Sequence, residues 1–171
     1  MRRALDTLYE SCAWFAGACM VAIFVTIMIQ VAGSYVGLYV RGTDAIAGYF
    51  MAGASFLALA STLKRGEHIR VALVLERLPP AWRRGFEVAC LAAAVALTAA
   101  FAWYSWTMAW WSYQFNAISD AQDRTPLWFP QLAMGLGVTV LAVAFVDELV
   151  AVARGRAPAA AAAVDGPART E

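Results

Sequence analysis

The chain reads as an all-α integral membrane protein, with four transmembrane helices plus an interfacial amphipathic helix between the second and third. Three observations predict this. Four stretches, 11–40, 45–63, 88–119 and 125–146, contain no Asp, Glu, Lys, Arg or His, and a helix needs about 20 mostly apolar residues to cross a bilayer core. The composition is 62% hydrophobic with a mean hydropathy of +0.61, well above the roughly 45–50% apolar content of soluble domains. Between the second and third stretches, Ile69, Val71, Val74, Leu75, Leu78, Trp82 and Phe86 alternate with Arg70, Glu76, Arg77, Arg83 and Arg84. That mixture suits a helix lying in the interface of one leaflet, with a solvated loop touching the bundle as the alternative.

The first span covers about residues 12–36 and is longer than one crossing requires. Arg2 and Arg3 precede it, but Asp6 and Glu10 interrupt the approach. The uncharged run also exceeds the about 7–15 apolar residues of a cleaved signal peptide, so a retained helix is expected. Gly33, Gly37 and Gly42 punctuate its far end. The second span, 45–63, is rich in small residues. Gly48 and Ala52, and Ala54 and Ala58, are four apart, which lets a neighbouring helix approach closely.

The third span, about 88–112, is alanine-rich in its first half and aromatic in its second, where Trp103, Trp106, Trp110 and Trp111 crowd together. Aromatic rings favour the headgroup zone, and they also dominate protein interfaces; both readings stand for this outer aromatic edge. The fourth span, about 126–147, opens with Pro126 and Pro130, and proline is tolerated in a first helical turn. Residues 1–156 thus form one membrane domain, 64–87 a cytoplasmic interfacial segment, and 157–171 an Ala/Pro/Gly-rich tail expected to be disordered. Of the 13 Lys and Arg residues, all but Arg41 and Arg124 fall on the side that holds the two termini and the 64–87 segment. Basic residues collect in the cytoplasm, so both termini are placed there.

The pattern excludes several functions. Ionisable groups inside a bilayer mark ion and proton pathways, and the four charge-free stretches hold no Asp, Glu, Lys, Arg or His. His68 is the only histidine, so a haem held by two histidines of this chain is excluded, as is a zinc site. No cofactor, metal or catalytic residue is expected, and a net charge of +1 gives no sign of nucleic-acid binding. Cys12, Cys19 and Cys90 read as small apolar packing residues. Thr26, Gln30, Thr62 and Thr98 are polar groups within spans, expected to bond between helices. A rival reading, a small four-helix proton-coupled exporter, needs an embedded carboxylate, for which Glu10 is the nearest candidate.

One run is similar to a known family. Asp44 opens the second span, and STLKRGEHIRVALVLERLPP (61–80) closes it and leads to the third. Arg65, Gly66, His68, Arg70, Leu78 and Pro79, together with Thr125-Pro126-Leu127-Trp128-Phe129-Pro130-Gln131 and the following Gly135 and Gly137, resemble the small DctQ-type membrane subunit of tripartite ATP-independent periplasmic (TRAP) transporters. Asp44 departs from the glutamate commoner there. The resemblance covers about residues 5–155. It implies a place in the bacterial inner membrane beside a large permease subunit, with a periplasmic substrate-binding protein delivering an organic acid. It further implies sodium-coupled symport by an elevator movement of the large subunit, the small one widening the scaffold and helping to dock the binding protein. On that resemblance Asp44, Arg65, Gly66, His68, Arg70, Leu78 and Pro79 are subunit contacts or shape-keeping residues; from the residues alone, His68 reads first as part of a polar turn capping the second span, and second as a contact with a partner subunit.

Overall fold

The computed structural model describes residues 2–38, 42–64, 80–121 and 124–154. They form four long helices: α1 (Arg2–Tyr35), α2 (Thr43–Lys64), α3 (Pro80–Gln114) and α4 (Trp128–Ala153). Each contains a segment long and apolar enough to cross a membrane: Thr7–Tyr35, Thr43–Leu63, Gly85–Gln114 and Trp128–Ala153. At about 1.5 Å per residue, the 34 residues of α1 exceed a hydrocarbon core of about 30 Å, so α1 tilts or projects. The interfacial helix expected within 64–87 lies outside the described residues over 65–79. On either side of that gap, Lys64 ends α2 and Pro80 begins α3.

The helices pack in the order α1–α2–α4–α3. The two inner helices therefore are α2 and α4, and the two edge helices bury far less of their apolar length. Tyr9 of α1, Ala60 and Leu63 of α2, and Leu141 and Ala144 of α4 form one buried cluster, with Leu59, Val140 and Phe145 packed against it. Phe56 of α2 also meets Phe101 of α3 edge-on, with ring centroids 6.0 Å apart. Val138, 0% exposed, is one of the residues that seal the interior of α4.

Small residues set the distance between α2 and α4. A Cβ on Gly137 would stand 2.6 Å from the carbonyl carbon and oxygen of Phe56, so the two backbones touch there and only glycine fits. At Gly53, an added Cβ would meet Cys19 Sγ at 3.4 Å and Ala133 at 3.9 Å, which makes Gly53 the crossing point of α1, α2 and α4. Ala54, the next residue, is buried too. Small residues thus bring α2 close to its neighbours as expected, but not at Gly48, which has nothing within 4 Å.

Two helix ends carry the same stop. After α1, Leu38 N–H donates to Gly33 O (2.9 Å) and Gly37 N–H to Ser34 O (3.4 Å), with Gly37 at φ +74°. After α3, Ala117 N–H donates to Ser112 O (2.9 Å) and Asn116 N–H to Tyr113 O (3.2 Å), with Asn116 at φ 46°. Both are Schellman caps, in which a left-handed residue turns the chain so that it satisfies the last carbonyls. The α3–α4 connection then folds on itself: Ile118 and Pro126 form an antiparallel bridge, Ser119 N–H donates to Thr125 O at 2.9 Å, and Leu127 N–H to Ala117 O at 3.0 Å. Pro126 thus precedes α4 rather than opening it, because it is held in the bridge with Ile118 and the helix starts at Trp128. Pro130 does sit in the first turn, where a missing N–H leaves no bond unmade.

Candidate partner-facing surfaces

The hydroxyls within the spans mostly serve their own helix. Thr26 Oγ1 donates to Ala22 O (2.7 Å), Thr62 to Leu59 O (2.8 Å) and Thr98 to Ala94 O (2.7 Å). This corrects the expectation that these threonines bond between helices. Without water, a hydroxyl finds its nearest acceptor one turn back on its own backbone. Gln30 is exposed on α1.

One interhelical bond lies elsewhere. Trp106 Nε1 donates to Thr139 Oγ1 at 3.0 Å, and Thr139 Oγ1 donates to Gly135 O at 2.6 Å. The indole lies over Gly135, whose added Cβ would be 3.4 Å from Trp106 Cε2. Trp106 is therefore held against α4 and differs from the rest of the aromatic edge. Trp103 is 73% exposed, against 40% for Trp106, and Trp110 and Trp111 are exposed too. Trp111 stacks on Phe115 at 5.3 Å, and Tyr113 meets Trp128 edge-on at 6.1 Å. Between α3 and α4, Trp106, Ala109, Trp110, Tyr113, Trp128 and Leu132 line an open apolar groove of about 210 Å³.

Asp44 stands exposed in the first turn of α2, where a carboxylate complements the partial positive charge of the helix N-terminus. Gly48, Met51 and Ser55 follow it at helical spacing and are also exposed. An inner helix thus keeps an open stripe on which Asp44, Gly48 and Ser55 are small or polar, with the bulky apolar Met51 among them. The exposed surface of edge helix α1, with Trp14, Phe15, Met20, Val21 and Phe24, is bulky and apolar. Arg65, Gly66, His68, Arg70, Leu78 and Pro79 lie outside the described residues, so no geometry joins them to Asp44.

Three features escaped the sequence reading. Tyr9 is buried in the core cluster, although it sits one residue before the exposed Glu10. Ser105 is 2% exposed in the middle of the aromatic run and bonds Phe101 O (2.8 Å). Gln131 is 8% exposed, and its Oε1 accepts no hydrogen bond among the described residues. The spacing of Leu91, Thr98, Ser105 and Ser112, seven apart, was the available signal for the face of α3 turned to α4. Of the cysteines, all free, Cys12 is buried and Cys19 half-buried, whereas Cys90 is exposed. Among the described residues, no three His, Cys, Asp or Glu side chains come together as a metal site.

Four long apolar helices packed in a row define the class: a multi-pass membrane protein. The family model for the DctQ component of tripartite ATP-independent periplasmic transporters matches residues 23–155, from within α1 to just past the end of α4. The chain belongs to that family, which is one of transporter components and not of enzymes. No curated protein matches the chain.

Proposed function

We propose that this chain is the small scaffold subunit of a sodium-coupled, binding-protein-dependent uptake transporter for organic acids. It supports the large permease subunit and the docking of the periplasmic binding protein, and it lies in the bacterial inner membrane with both termini in the cytoplasm. The family match over residues 23–155 carries the reading. The charge-free stretches 11–40, 45–63, 88–119 and 125–146 support it, since a chain that itself moved ions would hold ionisable groups within the bilayer. Glu10, on which a proton-coupled exporter would depend, is exposed at the start of the apolar part of α1.

Asp44, Gly48 and Ser55 on the open stripe of α2 support a contact with the large subunit. Lipid-facing surfaces favour bulky apolar side chains, whereas helix interfaces in membranes are enriched in small and hydroxyl residues. Co-expression with the large membrane component, followed by purification in detergent through a tag on this chain, tests the reading. A stable one-to-one complex is the expected result. Recovery of this chain alone, as a homo-oligomer that ignores the permease, overturns it. The interfacial role of 64–87 has its own test: replacing Leu73, Val74 and Leu78 with Asp lowers recovery of the complex, and unchanged recovery sinks that assignment.

A further inference from the structure

We draw no further inference here: the strongest candidate, the aromatic groove between α3 and α4 lined by Trp106, Trp110, Tyr113 and Trp128, is apolar and open, and nothing in the structure shows what covers it.

Discussion

Gly137 is the residue on which the contact between the two inner helices turns. Its absent side chain allows the α4 backbone to touch Phe56, and the obstacle to a larger residue is main chain, which cannot swing aside. Gly137→Ala should cost about 1–3 kcal/mol, as overpacked cores do, and lower the melting temperature in detergent. Gly135→Ala is the control. Its Cβ would make ordinary contact with a ring at 3.4 Å, so its melting temperature should fall much less. Equal melting of Gly137→Ala and wild type would show that the backbones do not touch. Trp106 offers a second test at this scale. Trp106→Phe removes the donor to Thr139 but keeps a ring, and membrane hydrogen bonds average about 0.6 kcal/mol. Thr139→Val should cost a similar amount. The double variant should be no worse than the sum less that shared bond; strictly additive losses would mean the bond contributes nothing.

The elements end where local chemistry tells them to. Asn116 sits at φ 46°, a region that costs most side chains about 1–2 kcal/mol and that β-branched residues enter worst. Asn116→Val should therefore destabilise the α3–α4 turn by about that amount, while Asn116→Gly should be neutral or slightly stabilising. A valine variant that melts like wild type would remove the left-handed cap from this account. The turn is otherwise held by its own backbone, through Ser119, Thr125, Ala117 and Leu127. Thr26, Thr62 and Thr98 show why polar residues in a span are poor guides to partners: each closes on its own helix. Which hydroxyl reaches across depends on what stands opposite, and Thr139 has an indole N–H there.

For the whole molecule, the row α1–α2–α4–α3 has a consequence. A row of helices leaves both its faces and its edges to be covered by lipid or protein, whereas a closed bundle covers its own centre. Gly48→Leu would place a large side chain where this chain has open space. The variant should fold and melt as wild type does, yet recover less of the large permease subunit in a pull-down. Normal recovery would mean that the open stripe of α2 faces lipid instead.

The sequence by itself determined four apolar helices and the membrane class, because span length and freedom from charge are properties of single segments that the bilayer selects. It also carried the family resemblance, because Asp44, the Arg65–Arg70 motif and the Thr125–Gln131 run are local words. Stops at Gly37 and the tolerance of Pro130 were legible for the same reason: each is decided within one turn. The tertiary structure alone decided the order in which helices lie side by side. Gly53 and Gly137 look no different in sequence from Gly48, yet two are pressed against a neighbour and one faces open space. Among four tryptophans of one aromatic run, only the arrangement of α3 on α4 singled out Trp106. Without water there is no hydrophobic force to separate the faces of a membrane helix, so its apolar pattern does not announce its partner; shape does, and shape exists only once the helices have met.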